Sequence, residues 1–322
     1  KMKDKLGVDE SEFGINDYNK EMTKFIVSVS SDTVYGKYYY YDSETDTMTL
    51  LAELGSWIDS NNLAKMHSIS YEARDGLTIH GYLTLPKNKI AKNLPLVVIP
   101  HGGPWARDMW VFNNEVQLLA NQGYAVLQVN FRSSTGYGKE FLEAGNKQWG
   151  LKIQDDITDG VQWAIDLGIA DAEKIGIYGA SFGGYATLAG ITFTPDLYAA
   201  AVDYVGVSNI FTLLETIPPY WETQRNMFYE RVGHPEKDKE LLKAASPVFH
   251  VDKIKTPLFV AQGANDPRVN KQESDQIVQA LKNRGVEVEY MVKDNEGHGF
   301  ANEENRIEFY SALVDFFAEY LK

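Results

Sequence analysis

From about residue 65 the chain alternates short apolar, β-rich runs with longer stretches that carry apolar residues every three to four positions. That alternation constrains the fold most. Strands separated by helices pair in parallel, because a parallel crossover needs a dozen or more residues between its strands. The pattern therefore predicts an α/β fold with a mostly parallel central sheet and helices on both faces. The predicted strands are His67 to Glu72, Leu77 to Thr84, Leu96 to Pro100, Ala125 to Phe131, Lys174 to Tyr178, Ala199 to Val205, Leu258 to Gln262 and Val286 to Val292. The first two flank Arg74-Asp75-Gly76 and read as an antiparallel hairpin at the start of the sheet.

Helical stripes fill the gaps: Phe112, Val116 and Leu119, stopping before Gly123; Ile153, Ile157, Val161 and Ile165; and Ile307, Tyr310, Val314, Phe317 and Leu321 at the end. The Asp155-Asp156 pair falls near the start of the second stripe, where a solvated or capping role is expected rather than a chemical one.

Residues 1–64 read differently, as strands Phe25 to Ser30, Lys37 to Tyr41 and Met48 to Leu51, with a polar turn over Asp42 to Asp46. That is about one propeller blade. A lone blade cannot bury its own faces, so it is expected either to pack on the larger part or to end a longer chain. The expected division is a β-rich segment over 1–64 and a catalytic domain over 65–322. The opening Lys1-Met2-Lys3-Asp4-Lys5 is not a translation start and carries no apolar signal region, so an upstream segment is expected to have been removed or left uncovered.

Composition excludes several functions. Asp and Glu number 45 against 31 Lys and Arg, a formal charge of −14, which repels the phosphate backbone and disfavours nucleic acid as a partner. Without any cysteine, a disulfide framework, a Cys-based zinc site and a Cys nucleophile are ruled out, and the reading leans towards a reducing, cytoplasmic setting. No apolar run approaches the roughly 18 residues of a membrane helix, so no membrane partner is expected. No His, Asp and Glu cluster has ligand spacing, so neither a metal nor a cofactor is expected. A homo-oligomer is left open.

The chemistry centres on Gly179-Ala180-Ser181-Phe182-Gly183. Three fixed positions of this kind arise by chance in roughly one chain in ten of this length. The context is what counts: the motif follows the strand Lys174 to Tyr178 and opens the helical run Phe182 to Ile191, which is the strand, sharp turn and helix of a nucleophile elbow. A serine hydroxyl needs a base, and the base an orienting carboxylate, expected in the order Ser, acid, His. His234, His250 and His298 follow Ser181, and only His298 lies in a Gly-flanked loop after the last strand; His234 and His250 read as structural or surface residues. Asp266, in the turn after Leu258 to Gln262, is the expected acid. Asp294 and Glu296 are nearer in sequence but share the loop of His298 and lack the reach. The oxyanion donors are expected to be the N–H of Phe182 and of Gly103, the latter within His101-Gly102-Gly103-Pro104, where His101 shapes the loop.

Together these residues resemble the prolyl oligopeptidase family of serine peptidases, in its acylaminoacyl-peptidase-like branch. The resemblance runs from about Phe25 and rests on Asp75-Gly76-Leu77, Tyr82-Leu83-Thr84-Leu85-Pro86, His101-Gly102-Gly103-Pro104, Asn130-Phe131-Arg132, Gly136-Tyr137-Gly138, the 179–185 elbow, Asp266-Pro267-Arg268-Val269 and Gly297-His298-Gly299-Phe300. It implies an α/β-hydrolase fold and places Arg268 towards a peptide carbonyl and Val269 towards the S1 pocket. The chain departs from the family in holding what looks like only the final propeller blade, and in Ser133-Ser134 where a Gly commonly follows Arg132. The aromatic segment Phe211 to Tyr229 falls where an insertion commonly caps the site, and its rings read as core, with pocket lining as the alternative. The function expected is hydrolysis of short or acylated peptides through an acyl-enzyme. A carboxylesterase on small esters is the alternative, because the propeller gate is missing, and an inactive binding module is a remote third.

Overall fold

A computed structural model describes residues 2–6, 12–286 and 288–322. Lys1, part of the 1–64 segment and Glu287, which falls inside the expected strand Val286 to Val292, lie outside the described residues. After a short helix α1 (Met2–Leu6), strands β1 (Glu12–Tyr18), β2 (Lys24–Ser30), β3 (Lys37–Asp42) and β4 (Thr47–Glu53) form a four-stranded antiparallel sheet in sequential order. Only three of these strands are legible in the sequence. β1 carries Gly14, Asn16 and Asp17 and is bulged between Ile15 and Asp17, so it has no alternating apolar pattern to read. The sheet buries Val27, Val29 and Tyr41 but leaves Ile15, Tyr18, Leu50 and Leu51 about half exposed.

The second sheet has eight strands: β5 (Met66–Glu72), β6 (Thr78–Thr84), β7 (Leu94–Pro100), β8 (Ala125–Asn130), β9 (Ala170–Ala180), β10 (Ala200–Tyr204), β11 (Leu258–Gly263) and β12 (Val288–Lys293). Their order is β12-β11-β10-β9-β7-β8-β6-β5. β5 and β6 form the antiparallel hairpin, β6 pairs antiparallel with β8, and the other pairs are parallel. This is the α/β-hydrolase arrangement. The chain steps from β7 to β8 in one direction and from β8 to β9 in the other, so the loops after β7 and β9 diverge from neighbouring strand ends. Open α/β sheets place their sites at such a crevice.

Helices α2 (Asn114–Asn121), α3 (Lys139–Glu143), α4 (Lys152–Asp166), α5 (Phe182–Phe193), α6 (Ile210–Glu215), α7 (Arg225–Arg231), α8 (Lys239–Ala245), α9 (Gln272–Lys282) and α10 (Glu303–Leu321) complete the chain. Two apolar clusters separate the faces. Val116 and Leu119 of α2 join Phe309, Leu313 and Phe317 of α10 on one, while Ile153, Ile157 and Val161 of α4, most of α5, and Ile277 and Leu281 of α9 fill the other. α2 starts where Asn113 caps it, its side chain accepting from the Glu115 and Val116 amides, and ends before Gly123 at φ +96°.

Two expectations need correcting. Ile307 is 59% exposed and does not belong to the buried stripe of the final helix, which keeps Phe317 and Leu321 and adds Phe309, Leu313 and Phe316. Asp156 is fully buried, not solvated or capping: Arg132 Nε, Nη2 and N all donate to its carboxylate at 2.7–2.8 Å. Asp155 keeps the surface role, paired with Arg74 at 2.7 Å. The two sheets are stitched through Gln117 of α2, which donates to the Asp32 and Ala64 carbonyls and accepts from the Ala64 amide.

Candidate active site

Ser181 sits at the turn from β9 into α5 with φ +61° and ψ −118°, a conformation that costs a non-glycine residue of order 1–3 kcal/mol and survives only where its surroundings fix it. Those surroundings are tight. A Cβ on Gly179 would run into the Gly183 backbone, and one on Gly183 into the Pro100 carbonyl, so both flanking glycines are demanded by close backbone approach. The Ser181 amide donates to the Tyr204 carbonyl of β10 at 2.9 Å.

Asp266 follows β11 and is buried. Its Oδ1 accepts from the Arg268 and Val269 amides at 2.8 and 3.0 Å, which leaves Oδ2 for His298 Nδ1 at 2.7 Å. The carboxylate can only accept there, so Nδ1 carries the proton and Nε2 is left with its lone pair, the tautomer a general base needs. Gln262 Nε2 approaches Oδ2 at 3.4 Å and also donates to the Val269 carbonyl, tying the turn to its strand.

The His298 loop is held from two directions. Glu296 does not orient His298; its buried carboxylate accepts from the Ala301 and Asn302 amides and from Asn302 and Asn305 Nδ2, closing the loop onto the start of α10. Burial opposes its ionisation, but these donors outweigh burial and hold its pKa down at about 2. On the other side the Phe300 amide donates to the Tyr204 hydroxyl. Tyr204 thus receives Ser181 through its carbonyl and the His298 loop through its side chain. Nothing in the sequence singles out Tyr204, since a tyrosine at a strand end reads as ordinary core.

His101 takes the shaping role expected of it. Burial lowers its pKa to about 4, so the ring is neutral. The Gly102 carbonyl accepts from Nδ1 at 2.8 Å, and the Ser134 hydroxyl donates to Nε2 at 2.8 Å. Its ring stacks on Phe131 at 4.2 Å, and Phe131 packs on Phe182 at 5.3 Å, so the loop after β7 and the first residue of α5 share one aromatic stack. Gly102 lies against the elbow, and Gly103, exposed at φ +130°, holds a conformation that favours glycine. Ser133, where a glycine is common, has φ +86°.

Arg268 is exposed, and its guanidinium stands 5.8 Å from the Trp221 ring. Val269 is buried in the apolar cluster shared by α5 and α9. In the capping segment Phe228 is buried and Tyr220 is exposed. Phe228 meets Trp105, just beyond Pro104, edge-on at 5.5 Å and Trp221 at 5.9 Å, so these rings bridge the loop after β7 to Arg268. Phe211, Trp221 and Tyr229 are half-buried and packed against the same cluster as Phe228, so of these rings Tyr220 is the one that stands outside the core. His234 and His250 stay outside the site, accepting from the Glu236 amide and contacting the Lys243 carbonyl. A groove of about 620 Å³ between α2 and α10 holds none of the candidate site residues. Among the described residues no group of three or more His, Asp or Glu is placed to hold a metal ion, and no helix is long and apolar enough to cross a membrane.

A profile of the prolyl oligopeptidase family matches residues 110–322. Dipeptidyl aminopeptidase BIII of Pseudoxanthomonas mexicana is 42% identical over 98% of the chain and 47% of its own length. Among solved structures, acylaminoacyl peptidase of Pyrococcus horikoshii superimposes with a TM-score of 0.84 at 26% identity, covering 98% of the chain and 51% of its own. A Mycobacterium tuberculosis puromycin-hydrolyzing peptidase gives 0.84 at 27% identity, covering 93% and 46%. The chain spans about half the length of the relatives it matches.

Proposed function

The chain belongs to the prolyl oligopeptidase family, and from that premise we propose that it is a serine peptidase that cleaves short or acylated peptides. The observation that carries the reading is the 2.7 Å bond from His298 Nδ1 to the buried Asp266, at the same sheet edge where Ser181 is held in a strained turn. In this reading His298 Nε2 takes the Ser181 proton as Oγ attacks the scissile carbonyl, and Asp266 stabilises the imidazolium that forms. The Phe182 and Gly103 amides receive the oxyanion. His298 then returns the proton to the leaving amine, which departs to give the acyl-enzyme, and a water activated by the same imidazole hydrolyses it. Arg268 and Val269 are assigned to the substrate side, Arg268 with a peptide carbonyl and Val269 at the floor of the S1 pocket. The division into units at residues 64 and 65 is part of the proposal.

The relatives' names span removal of dipeptides and release of acylated amino acids, so the transferred acyl group is the part to measure. The test is a panel of dipeptidyl and acyl-aminoacyl 4-nitroanilides beside matched 4-nitrophenyl esters. Amide cleavage abolished by Ser181→Ala is expected. Ester turnover with no amide cleavage would move the assignment to a carboxylesterase, and a Ser181 that an alkyl fluorophosphonate does not label would remove hydrolase activity altogether.

A further inference from the structure

Side chains of β10 alternate between the sheet's faces: Ala200 and Val202 join the α2 and α10 cluster, and Ala201 the α5 cluster. Asp203 therefore points, as a fully buried carboxyl group, into the α5 face. A Cβ on Gly184, in the first turn of α5, or on Gly206 would overlap Asp203 Oδ1. The carboxyl group occupies the space both glycines leave open, directly behind the nucleophile turn. Neither of its oxygens accepts a hydrogen bond of good geometry from any described residue. A buried, unpartnered carboxyl is costly and rare, and it calls for a reason.

The first turn of α5 supplies one. The Phe182, Gly183 and Gly184 amides have no partners within the helix, and the Ser181 side chain does not cap them. The positive end of the helix dipole is thus undiluted where the Phe182 N–H is to meet the oxyanion. A charge on Asp203 offsets that field, and a neutral carboxyl leaves it whole. We propose that Asp203 is a positioning residue of the nucleophile elbow, a wedge between Gly184 and Gly206 that fixes the first turn of α5 and, through its own ionisation, sets how strongly that turn stabilises the oxyanion.

The surroundings agree. Burial raises the Asp203 pKa to about 7, with the Gly206 amide pulling weakly the other way and Glu273 adding to the rise. Glu273 of α9 is the anion facing it, and its carboxylate is taken up by the Ser208 and Asn209 amides and by the Thr212 hydroxyl. Tyr290 of β12 feels the Asp203 charge as well and donates to Asp275. No cationic side chain stands among the groups that shift Asp203.

The inference rests on Ser181 being the nucleophile, so the experiment separates the two. The maximal rate of Ser181 labelling by a fluorophosphonate is measured from pH 5 to 10 in the parent and in Asp203→Asn, apart from the reagent's binding constant. The parent rate should fall by about three- to tenfold as pH rises through neutrality and Asp203 ionises, whereas Asp203→Asn should show no such fall, with unchanged binding. Superimposable profiles overturn the inference. If Asp203→Asn does not fold, the infrared band of a protonated carboxyl decides in Ser181→Ala protein that also carries Asp108→Asn, which removes the other carboxyl that burial raises to about 7: the band should vanish as pH rises through neutrality, and its absence refutes the role. A parent that is never labelled defeats the hydrolase reading instead, and the infrared titration, which needs no substrate, still decides for Asp203.

Discussion

Replacing Arg132 by Met isolates the largest electrostatic commitment beside the site. Arg132 is 3% exposed and Asp156 fully buried; the guanidinium donates twice to Asp156, at 2.7 and 2.8 Å, and twice to Asp75, at 2.8 and 2.9 Å. Removing the guanidinium leaves Asp156 with the Arg132 backbone amide as its remaining donor in that set, and an uncompensated buried charge costs about 3–5 kcal/mol. With roughly 2–4 °C of melting temperature per kcal/mol in a domain of this size, Arg132→Met should melt about 6–20 °C lower at pH 8. The pH dependence carries the diagnosis. Burial already raises the Asp156 pKa and Arg132 opposes that rise, so without Arg132 it climbs further above its unfolded value. Between those two values the folded state binds the extra proton, so the variant's deficit should shrink as pH falls from 8 towards 5. Urea unfolding at both pH values measures this, and Arg132→Met combined with Asp156→Leu should recover most of the loss. A deficit under about 1 kcal/mol, or one that does not change with pH, would refute the argument.

Asp266→Asn should keep the fold yet lower kcat by about 10⁴-fold with KM little changed, because the amide cannot hold the Nδ1–H tautomer; peptide anilide kinetics read both constants. Gly183→Ala should abolish folded protein or lower its stability by more than about 3 kcal/mol, since its Cβ meets the Pro100 carbonyl, which circular dichroism melts would report. His101→Gln should remove a pH dependence of stability. The folded His101 pKa lies below the unfolded value of about 6.5, so the parent loses stability as pH falls from there towards about 4, and the variant's melting temperature should fall less over that window.

The turn at Ser181 and the proposed acid and base stand out in the sequence because each is bound to a local backbone requirement. Gly179 and Gly183 leave room for crossing main chains, and the turn after β11 and the glycines around His298 mark the ends of strands. The eight strands of the second sheet read off their apolar runs for the same local reason. What stays hidden depends on partners far away in sequence. Asp156 looks like a surface acid until Arg132, 24 positions earlier, folds onto it. Asp203 and Tyr204 sit inside an apolar strand, where one letter cannot tell which face it serves. β1 is missed because an exposed, bulged edge strand needs no hydrophobic alternation. Ile307 is misplaced because a helix with apolar residues at adjacent positions offers more than one stripe, and packing against β9, β10 and β11 chooses between them.

Tyr204 gives the proposed nucleophile and base a common datum. Its carbonyl locates the Ser181 amide and its hydroxyl locates the Phe300 amide, so a small shift of β10 carries both catalytic loops the same way and leaves their separation nearly constant. Thermal motion of the sheet is then common-mode at the reacting atoms. The capping segment around Trp221 and Phe228 is anchored elsewhere, to Trp105 and to the Arg268 side chain. Redesign of acyl preference belongs in that segment, and Tyr204→Phe should loosen the registration of Ser181 against His298 by removing the acceptor of the Phe300 amide while the Ser181 amide keeps its bond to the residue 204 carbonyl.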